Sequence, residues 1–467
     1  MRIAVCIKPT SNGDISPFDA AAYECALRIP DAEVFLVSMA PKSNTQLMSD
    51  LTRLGAKKAF LISDNAFSGS DTLATAYTLS EALKKDYINP DLIFCGRQSL
   101  EGDTAQVGVE IAAEMGIPFA TRVMELSEIG KDFIKVKKRD GSEFSLDFPS
   151  LITFERIAEL RLPSIRSKPG EVEIIDSVKL GIDLSRCGRD GSMTVVLQTF
   201  PNQSERRKCV FIDPSKIRTV IEKSLSADIH SSSAGDDIIA ENTVDPVWVY
   251  GEKALKYAKS ICKDPVLKEL TDPDGIVDDI LTYKPKVVLW ENGERAKDIA
   301  SFVAAGIGCG LCADCTKIET DGENVFMYRP AFGENVIAKI KCKKDPSMAT
   351  VRTETDSSGL VFSVGTGAVQ SLKDVMALSE KYGAEITASR RVVDKGFLPY
   401  EMQVGLTGKT ISPKVYLSLG ISGAIHHVVG MKNSLTVIAV NSDRNAAIFD
   451  YADFGIVASV EDVLKYL

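Results

Sequence analysis

Short apolar runs alternate with longer segments of helical periodicity from the N-terminus to Ile117. A run of apolar, β-branched residues bounded by turn residues is typical of a buried strand, whereas apolar residues at every third or fourth position indicate a helix. The alternation predicts a parallel sheet with helices on both faces. The strands are RIAVCIK, AEVFLVSM, KAFLIS and PDLIFCG, and the helices are DTLATAYTLSEALKK and DTAQVGVEIAAEMG, the second beginning near Ala105.

The pattern changes after Ile117. The stretch KDFIKVKKRDGSEFSLDFPSLITFE contains strand-like runs joined by the turn Arg139-Asp140-Gly141. An Asp-Gly turn between alternating runs is a strong hairpin signal. We therefore predict an antiparallel extension of the first sheet.

Small polar residues separate this first series of strands and helices from a second series. Residues 224–245 include three consecutive serines and show little periodicity, which is typical of a linker. Strands and helices resume at PVWVYG, and a further pattern begins at LVFSVGTGA. The sequence thus predicts four segments, 1–223, a linker at 224–245, 246–350 and 351–467.

Composition excludes two classes of protein. Apolar residues make up 45% of the 467, and no apolar run approaches the roughly eighteen residues that a bilayer span requires, so we expect no membrane insertion. A formal net charge of −9 opposes nucleic-acid binding, because that binding needs clustered Lys and Arg. The N-terminus MRIAVCIKPTSNG has too few apolar residues for a secretory signal, so we expect a cytoplasmic protein.

Three of the ten cysteines form a cluster, Cys309, Cys312 and Cys315. Iron–sulfur and zinc sites use this C-x2-C-x2-C spacing. A fourth thiolate would have to come from Cys342, and the proline that usually follows such a run is absent. Several other cysteines lie in apolar strands, as reduced buried thiols do. We therefore favour a packed loop over a metal site.

Three loops with glycine follow predicted strands and precede predicted helices. This arrangement presents free backbone N–H groups and the positive end of a helix dipole to a phosphate. A lone G-x-G is weak evidence, because glycine pairs also permit tight structural turns. The loops lie in DLIFCGRQSLEGDTAQ, VFSVGTGAV and VYLSLGISGAIHHVVG.

Polar residues gather around repeated glycines near the third loop. They are Arg390, Gln403, Thr407, Ser422 and His427. A few polar groups at fixed positions suit the edge of a planar, redox-active ring. This segment therefore predicts a cofactor site.

The segment SRRVVDKGFLPYEMQVGLTGKTISPKVYLSLGISGAIHHVVGMK resembles the FAD-binding signature of the α subunit of electron-transfer flavoproteins. INPDLIFCGRQSLEGDTAQVGVEIAAEMGIPFATRV is similar to the β subunit, and RPAFGENVIAKI to the first domain of the α subunit. The resemblance covers nearly the whole chain, with β-like residues 1–223 fused to a shortened α-like first domain at 246–350 and an FAD-binding domain at 351–467. It implies an α/β fold of two Rossmann-like, adenine-nucleotide-hydrolase-like parallel-sheet domains followed by a C-terminal FAD-binding α/β domain.

The resemblance implies one FAD in the C-terminal domain. Arg390 is expected over the flavin ring, with the Thr407 hydroxyl near N5 and His427 donating to the C2 carbonyl. The remaining implied contacts are Gln403, Ser422 and the Gly420, Ile421 and Gly423 amides at the ribityl and pyrophosphate groups, Asn441 near the adenosine, and Ser389, Val404, Gly405 and Gly408.

The β-like half of this family holds a second nucleotide, either AMP or, in electron-bifurcating members, a second FAD. SGSDTLATAYTLSEAL and GDTAQVG are similar to the bifurcating group. The loop after the first strand is shorter than usual, which leaves FAD, AMP and no nucleotide as alternatives. The residues implied at this site are Cys6, Met39, Thr72, Thr75, Asp103, Thr104, Gln106, Val107 and Gly108.

The resemblance implies an electron carrier that takes electrons from an acyl-CoA dehydrogenase or another flavoprotein dehydrogenase and passes them to an acceptor oxidoreductase. One alternative is bifurcation, with NADH oxidised at a second FAD and ferredoxin or flavodoxin as the low-potential acceptor. Another is a nucleotide-binding regulatory protein without redox activity, because Leu406 and Thr366 stand where the family often has Gln and Arg.

The segment FERIAELRLPSIRSK resembles the loop through which the β subunit anchors its partner dehydrogenase by a leucine. Leu162 is the matching position, and Arg161 and Arg166 would help to orient the partner. The alternative is that Leu162 is a core residue beside a turn, with Leu160 and Ile165 sharing its burial.

Overall fold

The computed structural model describes residues 1–99, 101–138, 141–201, 207–226, 243–331, 336–352, 359–405, 408–409 and 411–467. These residues fall into two compact units, each made of two stretches of chain. Unit 1 comprises Met1–Pro201 and Ile238–Thr353, and unit 2 comprises Asn202–Asp237 and Glu354–Leu467. The four-segment division suggested by the sequence stays a prediction.

The first stretch of unit 1 alternates strands and helices as predicted. Its strands are Arg2–Cys6 (β1), Glu33–Met39 (β2), Lys58–Ile62 (β3), Leu92–Gly96 (β4), Phe119–Ile129 (β5), Phe133–Lys138 (β6), Glu143–Asp147 (β7), Ser150–Phe154 (β8), Val172–Ile175 (β9) and Thr194–Pro201 (β10). Its helices are Pro17–Leu27 (α1), Thr45–Thr52 (α2), Thr72–Leu83 (α3), Val107–Met115 (α4), Ser177–Leu180 (α5) and Gly188–Gly191 (α6).

The next stretch of chain supplies two elements to unit 2 and then completes unit 1. Strand Val210–Phe211 (β11) and helix Ile217–Ser226 (α7) belong to unit 2. The strands of unit 1 that follow are Val247–Tyr250 (β12), Val266–Lys268 (β13), Val287–Glu291 (β14), Leu311–Cys315 (β15), Lys317–Thr320 (β16), Val325–Ala331 (β17), Val336–Cys342 (β18) and Ser347–Val351 (β19), and the helices are Leu255–Lys259 (α8), Pro273–Tyr283 (α9) and Glu294–Ile307 (α10).

The last stretch completes unit 2. Its strands are Leu360–Val364 (β20), Glu385–Ala388 (β21), Val415–Leu419 (β22), Thr436–Asn441 (β23) and Phe454–Val457 (β24). Its helices are Leu372–Tyr382 (α11), Arg390–Asp394 (α12), Ile425–Val428 (α13) and Val460–Leu464 (α14).

Within the described residues, the main sheet of unit 1 has nine strands in the order β7-β6-β5-β8-β4-β1-β2-β3-β9. The strands from β8 to β9 are parallel, and β5, β6 and β7 form the predicted antiparallel extension. Alternate residues of β1 pack into different cores, with Ile3 and Val5 on one face and Ala4 and Cys6 on the other. The sheet is therefore buried on both faces, as expected of parallel strands covered by helices.

Unit 1 contains two smaller sheets in its described part. One is a parallel sheet in the order β13-β12-β14-β19-β15, and the other is an antiparallel sheet in the order β10-β18-β17-β16. Strand β10 precedes the predicted linker, yet it pairs with β18 from Thr194 opposite Cys342 to Pro201 opposite Val336. The two parts of the sequence thus share one sheet.

Unit 2 is built on one parallel sheet in the order β11-β24-β23-β22-β20-β21, counted over described residues. Strand β11 pairs with β24. Unit 2 therefore contains a strand that precedes the predicted linker in the sequence. Helix α7 ends at Ser226 and covers the first residues of that linker, whereas residues 227–242 lie outside the described residues.

Candidate nucleotide sites

A cavity of about 960 Å³ opens at the carboxyl ends of β1, β2, β3 and β4 in unit 1. The order of these strands reverses between β1 and β4, since β2 and β3 extend to one side and β8 and β5 to the other. Open α/β sheets bind ligands at such a switch point, outside the carboxyl ends of the strands. The starts of α3 and α4 also line the cavity.

Eight of the nine residues predicted for a second nucleotide lie in the wall of this cavity. Asp103 is the exception: it accepts a hydrogen bond from Gln98 Nε2 and lies just outside the lining. Contact of these residues with a nucleotide stays a prediction. The eight are Cys6, Met39, Thr72, Thr75, Thr104, Gln106, Val107 and Gly108.

Helix α4 begins at Val107, so the prediction of a start near Ala105 was wrong. Asp103 (φ 53°) and Ala105 (φ 57°) have left-handed backbone conformations that cannot continue into a right-handed helix. Gly108 is at the second helical position, where an added Cβ would lie 2.7 Å from the Thr153 side chain. Glycine there lets the helix start close to β8.

The cavity also has charged residues that the sequence analysis missed. Asp19 is buried and accepts a hydrogen bond from the Lys8 amide at 3.0 Å, and burial raises its pKa to about 7. Arg97 pairs with Glu155 at 3.0 Å and lies over the Phe18 ring. These side chains join the loops that follow β1 and β4, a tertiary arrangement with no local signal in the sequence.

Asp71 is a further lining residue, and it did have a sequence signal, because Asp before a helical pattern predicts an N-cap. Its Oδ1 accepts from the Ala74 amide at 3.0 Å, which caps α3. Its Oδ2 accepts from the Met193 and Thr194 amides, both at 2.8 Å. One carboxylate therefore joins the cavity wall to the start of β10.

The sheet of unit 2 has its own switch point, between β20 and β22. The loops that follow these strands approach closely: a Cβ on Gly365 would lie 2.1 Å from the Gly420 carbonyl oxygen. Gly420 has φ 66° and Gly423 has φ 87°, which favour glycine at both positions. The backbone of 420–423 therefore lies at the edge where open α/β sheets bind nucleotides.

Several predicted FAD residues hold this edge together. Asn441, at the end of β23, donates from Nδ2 to the Ile421 carbonyl at 2.8 Å. The carbonyl of Ser422 accepts from the Ile448 amide at 3.1 Å. Ser389 is the N-cap residue of α12, and its amide donates to the Val364 carbonyl at the end of β20. The ends of β20, β21, β22 and β23 are thus brought together.

A second group of predicted residues lies beside α13. Gln403 is buried and its carbonyl accepts from the Lys409 amide at 2.8 Å, which brings Lys409 beside Gln403 and Val404. A Cβ on Gly405 would lie 2.4 Å from the His426 carbonyl oxygen, so glycine permits close packing against α13. Thr407 and Leu406 lie outside the described residues.

His427 is buried, and its Nε2 lies 2.7 Å from the Tyr416 hydroxyl. Burial lowers its pKa to about 4, because the charged form loses hydration, and the nearby Val404 backbone only partly opposes this effect. Nδ1 makes no hydrogen bond to the residues that the structure describes. A buried ring nitrogen without a partner fits a group that contacts a polar ligand atom.

Arg390 opens α12, with its side chain partly exposed and its Nε 3.3 Å from Asp394 Oδ2. It lies on the same edge of the sheet as Ser389 and forms an ion pair within its own helix. The side chain is therefore accessible to a ligand at that edge.

The cysteine cluster lies in the core of unit 1. Cys309 donates to the Asp345 carbonyl at 3.2 Å, Cys342 to the Gly310 carbonyl at 3.2 Å, and Cys315 to the Cys312 carbonyl at 3.5 Å. Burial raises the pKa of the Cys309 thiol to about 11. Among the described residues, no group of three or more His, Cys, Asp or Glu side chains is arranged to hold a metal ion.

Leu162 is 90% exposed, so the interpretation as a core residue was wrong. Leu160 packs against the core, whereas Ile165 is fully exposed. Arg161 holds the loop by donating to Glu24 from Nε at 2.9 Å and from the guanidinium at 3.0 Å. Although burial opposes it, these hydrogen bonds and one from Arg28 lower the pKa of Glu24 to about 2.

Glycine loops and helix starts at the carboxyl edges of two parallel sheets define the class, a nucleotide-binding α/β protein. Comparison with known families then identifies the family. The electron transfer flavoprotein domain matches residues 4–142 and 233–378, and the electron transfer flavoprotein FAD-binding domain matches residues 355–432. The chain belongs to the electron transfer flavoprotein family, it fuses β-like and α-like parts, and its role is that of an electron carrier with FAD as cofactor.

Individual relatives include both kinds of subunit. Electron transfer flavoprotein subunit alpha of Thermoanaerobacterium thermosaccharolyticum is 34% identical over 232 residues, which is 40% of this chain and 70% of the relative. Electron transfer flavoprotein subunit beta of Megasphaera elsdenii is 36% identical over 202 residues, 40% of this chain and 74% of the relative. Acryloyl-CoA reductase electron transfer subunit beta of Anaerotignum propionicum is 31% identical over 285 residues, 44% of this chain and 78% of the relative.

Across the described part of the chain, none of the helices is long and apolar enough to cross a bilayer.

Proposed function

We propose that the protein carries electrons on one FAD held at the carboxyl edge of the unit 2 sheet, between a flavoprotein dehydrogenase and an acceptor oxidoreductase in the cytoplasm. The observation that supports this placement is the close approach of the Gly365 and Gly420 loops at the β20–β22 switch point. Bound FAD supplies the exchange of one or two electrons. The protein supplies binding, orientation and charge around the flavin.

Different residues of unit 2 are suited to different parts of FAD. The amides of 420–423 are suited to the pyrophosphate, because glycine backbone can approach it closely. Asn441, which already orders Ile421, is suited to the adenosine end. His427 remains neutral and offers Nδ1 to a carbonyl of the ring, and Arg390 adds a positive charge at the same edge.

The cavity of unit 1 holds an adenine nucleotide in this proposal. Its volume of about 960 Å³ is at the upper end of ordinary ligand pockets, and it lies at the switch point of its sheet. AMP and FAD share the adenosine phosphate that such an edge recognises. One FAD with AMP corresponds to a simple carrier, and two FAD correspond to the bifurcating alternative with NADH and ferredoxin or flavodoxin.

Leu162 is proposed as the anchor for the partner dehydrogenase, an acyl-CoA dehydrogenase or another flavoprotein. An exposed leucine beside an arginine that is anchored to Glu24 offers a small apolar side chain that a partner pocket can enclose.

The test is the nucleotide content of the purified protein. Denaturation should release at least one FAD per chain, together with AMP or a second FAD, as measured by chromatography and absorbance. NADH oxidation coupled to a low-potential acceptor would favour bifurcation. A colourless protein that releases no flavin would overturn the carrier proposal and support the regulatory alternative.

A further inference from the structure

The described residues of the loop after β4, which are 97–99 and 101–106 and are called the 97–106 loop below, contribute one wall of the unit 1 cavity. The lining residues of this loop include Ser99, Gly102, Thr104 and Gln106. Two of its residues that are not glycine, Asp103 and Ala105, have left-handed backbone conformations. Such conformations persist only where the surrounding structure holds them. The contacts that hold this loop therefore decide the shape of the cavity wall.

Two of these contacts come from the α-like part of unit 1. Arg329, on β17, donates from a terminal guanidinium nitrogen to the Gly102 carbonyl at 2.8 Å. Gln106 donates from Nε2 to the Leu311 carbonyl, on β15, at 3.1 Å. Arg329 is 7% exposed and Gln106 is 2% exposed, so both hydrogen bonds are shielded from water. Shielded hydrogen bonds of a charged donor are among the stronger ones in proteins.

Charged side chains near the loop add electrostatic interactions to these two hydrogen bonds. Burial raises the pKa of Asp103 to about 6, and the positive charges of Arg97 and Arg329 oppose this effect. Although burial opposes it, Arg352 and Lys297 lower the pKa of Asp314 to about 2. Arg329 thus donates to a loop carbonyl and also interacts electrostatically with the partly buried carboxylates of Asp103 and Asp314. Its loss would leave the Gly102 carbonyl without this charged hydrogen-bond donor.

We propose that Arg329 is a positioning residue for the nucleotide site of the β-like part: it holds the 97–106 loop in the conformation that receives an adenine nucleotide. The identified wall residues of the cavity all come from the β-like part. The α-like part contacts this wall through the hydrogen bond from Arg329 to the Gly102 carbonyl. Nucleotide affinity in one part of the chain therefore depends on a strand of the other. This inference rests on the proposed adenine-nucleotide site.

The test compares Arg329→Met and Arg329→Lys with the unaltered protein. Arg329→Met keeps a long side chain without a donor, and Arg329→Lys keeps one charged donor. AMP is the probe, titrated calorimetrically after the resident nucleotide of unit 1 has been removed. Arg329→Met should weaken AMP binding roughly tenfold to hundredfold, and Arg329→Lys should restore part of the loss. The FAD content should remain that of the unaltered protein.

Tyr328→Phe is the matched control. Tyr328 is the preceding residue of β17, and its hydroxyl donates to Glu319 at 2.7 Å, away from the 97–106 loop. Its loss should leave AMP affinity within about twofold of the unaltered protein if only the loop contact matters. Hydrogen exchange should show faster exchange at the amides of 102–106 in Arg329→Met and no change in Tyr328→Phe.

The outcomes separate the two proposals. If the unaltered protein binds neither AMP nor FAD in unit 1, the nucleotide site and this inference both fail. If it binds AMP and a folded Arg329→Met binds AMP equally well, only the positioning role of Arg329 fails. Equal weakening by Tyr328→Phe would assign the effect to general loosening of β17 and would also overturn it.

Discussion

At the scale of single residues, burial sets the charge of His427. The unfolded chain has the ordinary histidine pKa of 6.5, whereas burial lowers the folded value to about 4. Between these values the unfolded chain binds a proton that the folded protein does not bind. The contribution of His427 to stability is therefore present above pH 6.5 and is lost as the pH falls towards 4.

We predict that His427 makes the unfolding free energy fall by about 2 kcal/mol between pH 7 and pH 5. Replacing it by glutamine removes this titration and should make the pH dependence shallower by that amount. Urea unfolding of both proteins at several pH values measures the difference. His426→Gln, at the neighbouring exposed position of α13, serves as control. Identical slopes for His427→Gln and the unaltered protein would contradict the burial argument.

Leu162 leads to a prediction about partners. Leu162→Ala should lower kcat/KM for electron transfer from the partner dehydrogenase roughly thirtyfold, because an interface anchor contributes about 2 kcal/mol. Since the side chain is 90% exposed, the melting temperature should stay nearly unchanged. Reduction kinetics and a thermal scan measure the two effects.

The control for Leu162 is Val178→Ala, because Val178 is 87% exposed on α5 and lies outside the 160–166 loop. It should leave partner kinetics unaltered. The docking proposal fails if the two variants transfer electrons equally fast.

At the scale of elements, Asp71 has two structural tasks. It caps α3, and it accepts three hydrogen bonds from Met193 and Thr194 at the start of β10. An ordinary N-cap satisfies only the first turn of its own helix. Asp71 therefore joins the helix to a strand that belongs to another sheet.

We predict that Asp71→Ala lowers the unfolding free energy by roughly 2–4 kcal/mol, the sum of a lost cap and lost charge-assisted hydrogen bonds. Asp272→Ala is the matched control, because Asp272 caps α9 through one bond to the Gly275 amide. Its loss should cost about 1 kcal/mol or less. Denaturant unfolding compares the two variants, and equal losses would contradict the double role of Asp71.

At the scale of the whole molecule, the sequence order and the two compact units do not coincide. Strand β10 from the β-like part pairs with β18 of unit 1, and β11 pairs with β24 of unit 2. Arg207, from the same region as β11, forms an ion pair with Asp453. Both units therefore contain chain from both sides of the predicted linker.

We predict that cleavage near Ser231–Ser233 leaves the two fragments associated and FAD bound. In each unit a strand from before the cut, β10 or β11, pairs with a strand from after it, β18 or β24. Association of the fragments therefore does not depend on the high effective concentration that a linker supplies. Size-exclusion chromatography with absorbance at the flavin band measures both properties. Uncleaved protein that carries the same protease site is the control. Separate elution of the fragments, or immediate loss of flavin, would contradict this prediction.

Much of the fold could be predicted because its signals are local. Apolar runs such as those of β1 and β22 identify buried strands by themselves. The start of α4 could not be predicted, because the left-handed Asp103 and Ala105 are held by contacts with distant residues. Strand β10 was missed because its partner β18 is far away in the sequence.

The residues of the candidate sites also divide into those with a local sequence signal and those placed by contacts between distant parts of the chain. Residues in glycine loops and at helix starts, such as Gly420 and Gly108, follow from short motifs. Asp19, Arg97 and Arg329 act through tertiary contacts, which the sequence pattern does not report.

The pairing of β10 with β18 has a consequence for synthesis of the chain. Thr194–Pro201 leaves the ribosome before Val336–Cys342 exists, and translation of the intervening segment at about 5–20 residues per second takes roughly seven to thirty seconds. Throughout that interval the backbone N–H and C=O groups of β10 that later pair with β18 have no strand beside them. Chaperones, or a neighbouring nascent chain on the same messenger RNA, therefore meet this strand before its own partner does.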